Sequence, residues 1–325
     1  MVTRLESPAG GSVEGEYVST RVDSRVIWID GKLVPYADAT IHVLSHTLHY
    51  GTGAFEGMRA YQLADKRTAI FRAREHFQRF IDSVRVFGGT VSHGVDALTQ
   101  ASAEVIRANG FRECYIRPLA FIGDDFRGLK LPPTVELRTA IATWDWGKYL
   151  GAEGQQKGIR VRVSSLRRPD VSSAMSMAKI TGAYVTSVLA RREATLAGVD
   201  EALLLDPEGF VAEGSGENLF VVKDGRLSTP PTGFILPGIT RDCTIHLARD
   251  RGIEVTERRI TRNEVYVADE VFFTGTAAEV TPIREVDGLA VGRGCPGPVT
   301  ARLLEAFFQC VQGKDPGHTD WLTPI

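Results

Sequence analysis

The sequence predicts an α+β chain built from two domains, and three features carry this reading. Segments with helical spacing are mixed with strand candidates mostly joined by short turns, which argues against a doubly wound parallel sheet. A polar, glycine-rich stretch, DWGKYLGAEGQQKG from Asp145 to Gly158, interrupts the pattern, which then restarts. The chain's 325 residues, 43% of them hydrophobic, are long for one compact domain and comfortable for two. The expected division is a flexible arm over 1–24, a small domain over 25–144, a linker over 145–158 and a larger domain over 159–325.

The elements follow in order. RVIWID, from Arg25 to Asp30, is a strand, and Asp30-Gly31 signals a tight turn before LVPY. Residues 73–88 place Phe77, Phe80, Ile81 and Val84 on one helical face. A second helix spans 95–109 and stops at Asn109-Gly110, because glycine there accepts the left-handed conformation that ends helices. ECYIRPLAFIG and VELRTAIATW are strands, separated by the charged loop GDDFRGLKLPP. Beyond the linker come the strand IRVRVSS and a helix over 182–197. Two hairpins follow, EALLLD-PEG-FVAEG and ENLFVV-KDG-RLST. A helix over 240–251, further strands and a helix over 297–311 complete the chain, with no internal repeat.

Composition excludes several classes. A net charge of −2 gives no long-range attraction to nucleic acid or to an anionic membrane. No apolar run reaches the ~18 residues that span a bilayer. The first residues, MVTRLESPAGGSVEGEYVSTRVDSR, lack the apolar stretch of a secretory signal. Cys114, Cys243, Cys295 and Cys310 are scattered without a CxxC pair, which suits a reduced, cytoplasmic compartment. His42, His46 and His49 lack a cysteine or acidic partner at ligand spacing, so no metal is expected. The glycines of Gly51-Thr-Gly53-Ala-Phe-Glu-Gly57 have the wrong last spacing for a dinucleotide fingerprint and follow a poor strand.

One lysine stands apart. Of eight, Lys179 alone lies in an uncharged setting: it is the sole charge in VSSAMSMAKITGAYVTSVLA, residues 171–190. Small apolar neighbours desolvate an amine, lower its pKa and favour attack on an aldehyde. A lysine snorkelling from an apolar segment to water is the plainer alternative. Partners for a reactive amine lie further on. Leu236-Pro-Gly238-Ile239-Thr240-Arg241 runs into a helix whose first N–H groups can bind a phosphate, or can simply be capped by Thr240 or Asp242. Glu213, in AEGSGENLF, is an acid among residues small enough for a planar ring to approach the backbone, although taken alone it reads more simply as a surface carboxylate in a hairpin.

Glu213-Gly-Ser-Gly-Glu-Asn218-Leu-Phe, Leu227-Ser-Thr229 and Leu236-Pro-Gly-Ile-Thr-Arg241, in this order and spacing, resemble the signature of the class IV, fold type IV aminotransferases. The similarity runs from about Val26 to Phe308 and takes in HVLSHTLHYGTGAFEGMR, REHFQRFIDS, YIRPLAFIGD, WGKYLGAE and TGTAAEVTPIR. Among these enzymes the chain looks like the branched-chain amino acid branch. The resemblance implies the D-amino acid aminotransferase-like fold and a pyridoxal 5'-phosphate cofactor held on Lys179 as a Schiff base. Tyr184 is then the donor to the ring hydroxyl, and Glu213 the acid at the pyridine nitrogen. Arg79, Leu236, Gly238, Ile239, Thr240 and Thr276 hold the phosphate end. Tyr50, Phe55, Gly57, Arg59, Tyr115, Arg117, Trp146 and Tyr149 line the substrate pocket, and Thr276, Ala277 and Ala278 offer backbone N–H groups to the substrate carboxylate. The implied reaction is ping-pong transfer of an amino group from leucine, isoleucine or valine to 2-oxoglutarate, by a homodimer or an oligomer of dimers. Other class IV activities are the alternatives: D-amino acid or (R)-amine transfer, or aminodeoxychorismate lysis. Two departures stand out. ITGAY follows Lys179 where the family has a Gly-Gly-Asn-Tyr pattern, and loop 123–133 carries Asp124, Asp125, Arg127 and Lys130.

Overall fold

A computed structural model describes residues 24–147, 150 and 152–325. The expected arm therefore lies outside the described residues except at Ser24, as do Lys148, Tyr149 and Gly151.

The first half supplies β1 (Val26–Ile29), β2 (Lys32–Pro35), α1 (His46–Tyr50), β3 (Gly53–Phe55), β4 (Met58–Gln62), β5 (Thr68–Phe71), α2 (Ala73–Arg85), β6 (Gly89–Val91), α3 (Val95–Asn109), β7 (Cys114–Phe121) and β8 (Val135–Trp144). The second half supplies α4 (Ala152–Lys157), β9 (Ile159–Arg167), α5 (Tyr184–Leu196), β10 (Glu201–Leu205), β11 (Val211–Gly214), β12 (Asn218–Lys223), β13 (Arg226–Thr229), α6 (Ile239–Asp250), β14 (Val255–Glu257), α7 (Arg262–Tyr266), β15 (Glu270–Gly275), β16 (Glu279–Val286), β17 (Leu289–Ala290), α8 (Pro298–Val311) and β18 (Leu322–Pro324). Two mixed sheets result, as an α+β chain requires.

In the first sheet the path runs β18-β5-β4-β7-β8-β1-β2. The expected hairpin turn at Asp30-Gly31 is present, both residues having positive φ. Phe77, Phe80 and Val84 of α2 are fully buried against this sheet, so the apolar stripe read from the sequence is the packing face. Gly110, left-handed, ends α3 where expected. Strands β3 and β4 flank the same edge of β7 and are broken at Glu56-Gly57. The break faces Pro118, which has no N–H to give; its carbonyl accepts the Glu56 N–H instead, at 2.9 Å.

In the second sheet the path β11-β10-β9-β16-β15-β12 closes on itself through the pair Glu213↔Asn218. Hairpins β10–β11 and β12–β13 form as read. The ring carries buried side chains on both faces, with α6 and α8 covering one of its clusters.

Two expectations about the domain plan need correction. The stretch 145–158 is not wholly irregular, since Ala152–Lys157 forms a helical turn. The last strand, β18, leaves the second half and pairs with β5 of the first sheet. Arg72 anchors it: its N–H donates to the Trp321 carbonyl (2.7 Å), its guanidinium lies 5.0 Å over the Trp321 ring, and it pairs with Asp242 of α6. This return joins residues 322–324 to residues 69–71 and buries one tryptophan, too weak a local signal to read in advance.

Candidate active site

Lys179 is held by its backbone from two sides. Its carbonyl accepts the Phe55 N–H (3.0 Å), its N–H donates to Ser83 Oγ of α2 (2.9 Å), and Ile180 bridges to Ala54 of β3. Thr181, in the ITGAY departure, donates its hydroxyl to the Gly51 carbonyl (2.7 Å) and accepts the Gly53 N–H (3.1 Å), so the altered stretch fastens the lysine loop to the first sheet. The lysine Nζ lies over the rings of Phe55 and Tyr184 and donates to Tyr184 Oη at 2.5 Å. Burial of the amine pushes its pKa down to about 8, against the upward pull of Glu56. The desolvated amine expected from the sequence is present.

Glu213 sits where the second sheet closes. Its carboxylate accepts the Asn218 side-chain amide and the Leu236 N–H, each at 3.1 Å. Arg168 Nε lies 2.9 Å from Glu213 Oε1, close but off the N–H axis, so the contact is an ion pair more than an aligned hydrogen bond. Burial raises the Glu213 pKa, with Arg168 the leading opposing influence. Reading the sequence missed Arg168: LRRPD looks like surface charge, and only the fold brings it to a carboxylate on a distant strand.

The turn into α6 is built for close approach. A Cβ on Gly238 would meet Asn218 Oδ1 at 1.9 Å, and no side chain caps the helix start. The capping roles held open for Thr240 and Asp242 are not taken: Thr240 is buried, and Asp242 pairs with Arg72. Arg79 reaches this turn from α2, donating to the Pro237 carbonyl at 2.7 Å. Its guanidinium is gripped by Glu56, Nε to Oε1 at 2.6 Å and Nη2 to Oε2 at 2.9 Å, while His76 adds a 2.7 Å contact. Burial pushes the Glu56 carboxyl up, but Arg79 and His76 more than offset this and hold it well below the usual range. Glu56 was also missed, since its partners sit a helix away in α2. A cleft of about 1220 Å³ opens beside Gly238, Ile239, Arg79 and Arg241.

The opposite side is aromatic. Tyr115 and Arg117 alternate onto one face of β7. Arg117 donates to Tyr115 Oη (3.2 Å) and lies over Phe55, Tyr115 and Trp144 at 5.0, 5.3 and 5.5 Å. Trp146 packs on Tyr115 at 4.5 Å. A Cβ on Gly57 would meet Tyr115 Oη at 1.8 Å, so only glycine fits there. Arg59, paired across from Tyr115, donates to the carbonyls of Gly147 and Ala277. Buried Nε atoms of Arg59 and Arg117 have no acceptor. Thr276, Ala277 and Ala278 form the three-residue loop between β15 and β16. Tyr50 stands apart at 45% exposure, its ring against His46 and His49. The glycines at 51–57 lie around β3 and lead into no helix, which removes the dinucleotide reading.

The amine, the acid and the helix start lie near one another, since Lys179 acts on the charge of Glu213 and Glu213 accepts the Leu236 N–H just before the turn; the cleft itself is lined by Arg79, Gly238 and Ile239 and not by Lys179 or Glu213. The family model for amino-transferase class IV matches residues 53–286. The chain is 50% identical to a branched-chain-amino-acid aminotransferase of Pseudomonas aeruginosa, over 92% of this chain and 97% of the relative. Among solved structures, the branched-chain amino acid aminotransferase of Escherichia coli superposes with a TM-score of 0.90 at 46% identity, covering 92% of this chain and 99% of that one. The T.th. branched-chain amino acid aminotransferase with pyridoxamine 5'-phosphate superposes with a TM-score of 0.90 at 48% identity, covering 93% of this chain and 99% of that one. The chain belongs to the class IV aminotransferase family, with the two-domain fold type IV architecture.

Proposed function

We propose that the protein is a branched-chain-amino-acid aminotransferase that moves the amino group of leucine, isoleucine or valine to 2-oxoglutarate, with pyridoxal 5'-phosphate as cofactor. The observation that carries this is the lysine amine, with its pKa near 8, enclosed by Phe55 and Tyr184 and facing the aromatic wall of Tyr115, Trp144 and Trp146.

The residues fit the cofactor. Lys179 offers the amine, Glu213 a carboxylate held in place by three partners, and Gly238–Thr240 an anion cradle whose N–H groups no side chain has taken. Bound there, the cofactor supplies an electrophilic aldehyde and a ring that draws electrons from the substrate Cα. The protein does the rest. Arg79, Leu236, Ile239, Thr240 and Thr276 bind the phosphate end, and Tyr184 orients the ring hydroxyl. Glu213 keeps the ring nitrogen protonated. The Lys179 amine would accept the proton from the substrate Cα and hold it for return, acting as base and then acid. Thr276, Ala277 and Ala278 face the substrate carboxylate, while Phe55, Gly57, Arg59, Tyr115, Arg117 and Trp146 shape the side-chain pocket. Arg117, with its free Nε, suits the distal carboxylate of 2-oxoglutarate. Both half-reactions use one site, so the kinetics are ping-pong. The boundaries 25–144 and 159–325, less β18, describe the two domains, and the four unpaired cysteines suit a cytoplasmic setting.

Purified protein offered L-leucine, L-valine, D-alanine and an (R)-amine, each with 2-oxoglutarate, tests the assignment. Turnover of both L-donors, well above the other two, is expected. Inert L-leucine and L-valine sink it.

The protein acts as a dimer. Val43 and Leu48 are 71% and 59% exposed, and Ile41, Leu44 and Tyr50 are exposed with them, which offers a surface for the second subunit. Light scattering should give twice the 35.5 kDa chain mass or an even multiple of it, for a dimer or an oligomer of dimers, and a monomer would refute the assignment of this surface.

A further inference from the structure

The loop between β15 and β16 holds an anomaly. Gly275 pairs with Glu279, so Thr276, Ala277 and Ala278 form a three-residue hairpin loop. The residue closing such a loop adopts the left-handed conformation and is ordinarily glycine. Here it is glutamate, at φ 56°. A side chain in that region carries a conformational cost that the surroundings must offset, and such outliers gather at functional sites.

Two buried hydrogen bonds offset it. The Glu279 carboxylate is buried and accepts two hydrogen bonds from remote segments: Tyr61 Oη of β4 at 3.0 Å and Gln155 Nε2 of α4 at 2.7 Å. Tyr61 and Gln155 are buried too. Alternation along β4 puts Tyr61 on the same face as Arg59, whose guanidinium donates to the Ala277 carbonyl. Thr281 Oγ1 donates to the Ala278 carbonyl at 2.7 Å. The loop is therefore gripped by its carbonyls and by one carboxylate. Among the described residues, the N–H groups of Thr276, Ala277 and Ala278 have no hydrogen-bond partner, so they are left to point away from these grips.

We propose that Glu279 is a positioning residue: its buried carboxylate locks the 276–278 loop against β4 and α4, so that the loop's N–H groups are preset for a substrate carboxylate. The inference rests on the functional reading above. It adds that affinity for the carboxylate is set by a residue that never touches it, and that α4, in the segment between the two sheets, takes part through Gln155.

The test compares wild-type holoenzyme with Glu279→Gly, Glu279→Gln and Tyr61→Phe. Each is measured for KM, kcat, cofactor affinity and binding of 4-methylvalerate, a carboxylate without an amino group. Glu279→Gly relieves the backbone and removes the carboxylate; a residue that mattered only for the turn would bind as wild type or better. Losing two hydrogen bonds that order a loop should instead weaken 4-methylvalerate binding and raise KM by about tenfold, with kcat nearly unchanged and a smaller loss of cofactor affinity through Thr276. Tyr61→Phe, which removes one donor and no backbone element, should give about threefold by the same reasoning and decides the matter if Glu279→Gly does not fold. Glu279→Gln keeps an acceptor and should rescue most of the loss. Wild-type affinity in both Glu279→Gly and Tyr61→Phe overturns the proposal, as does an equal loss of cofactor affinity. No binding of 4-methylvalerate by the wild type overturns the functional reading itself, and the proposal with it.

Discussion

Lys179→Ala abolishes covalent retention of pyridoxal phosphate and lowers transamination by at least roughly 10²–10⁴-fold, the contribution of a positioned proton-transfer group alone. The expectation is large because the one amine has two duties, anchoring the cofactor and moving the substrate's α-proton. No other lysine among the described residues shares the enclosure made by Phe55 and Tyr184. The variant should stay folded, since the contacts that hold this segment run through the backbone of residue 179, not its side chain. Borohydride reduction followed by peptide mapping checks the anchor: a pyridoxyl group on any other residue would overturn it. The pH dependence has a definite sign. Burial lowers the amine's pKa from the ordinary 10.5 to about 8, so capture of pyridoxal phosphate by cofactor-free protein should rise as pH climbs through about 8. Between about 8 and 10.5 the unfolded chain holds the proton that the folded chain has lost. Stability of the cofactor-free protein therefore increases with pH across that window; below it the group adds no pH dependence, because the full cost of burying the charged amine is present there.

What the sequence discloses about this site, and what it hides, divides on physical grounds. Lys179 is visible because an uncharged run makes a lone charge conspicuous, and Gly238 because glycine before a helix start has a local meaning. Phe77, Phe80 and Val84 are visible because helical spacing reports a buried face directly. Glu56, Arg168 and Glu279 are not. Each is a charged residue whose burial is decided by partners elsewhere in the chain: Glu56 by Arg79 and His76 on α2, Arg168 by Glu213 across the second sheet, Glu279 by Tyr61 and Gln155. In the bare sequence all three look like solvated charge, the ordinary state of such residues. The break at Glu56-Gly57 does have a local sign in Pro118, a proline inside a strand, but which strand it interrupts depends on pairing. The return of β18 to the first sheet likewise depends on a contact with β5, some 250 residues earlier. Only the pairing of distant residues distinguishes these charges from surface ones.

That distinction sets up the second large effect, at Glu213. Glu213→Ala removes the acid expected at the cofactor's ring nitrogen and, with it, the sole anionic partner observed among the described residues for the buried Arg168 guanidinium. Two losses should follow. Activity falls by roughly 10²–10³-fold or more, the usual consequence of deleting one preorganised electrostatic contact in a water-excluded site. Stability falls by about 3–5 kcal/mol, because an uncompensated buried charge is left behind. A second substitution separates them. Arg168→Met added to Glu213→Ala replaces the ion pair by apolar volume, an exchange that is commonly neutral or stabilising, so most of the lost stability should return. Activity should not, because nothing in the double variant can keep the ring nitrogen protonated. Arg168→Met alone gives a third outcome. Arg168 is the leading influence holding the Glu213 pKa down against burial, so without it the carboxyl rises further and the acid limb of the kcat–pH profile moves to higher pH. Denaturant melts and pH–rate profiles of the four proteins measure all of this. A double variant as active as wild type would show that Glu213 does not serve the ring. Unchanged stability in Glu213→Ala would show instead that water reaches Arg168. The two failures are different, because neutralising a buried arginine and facing a cofactor are separate tasks of one carboxylate.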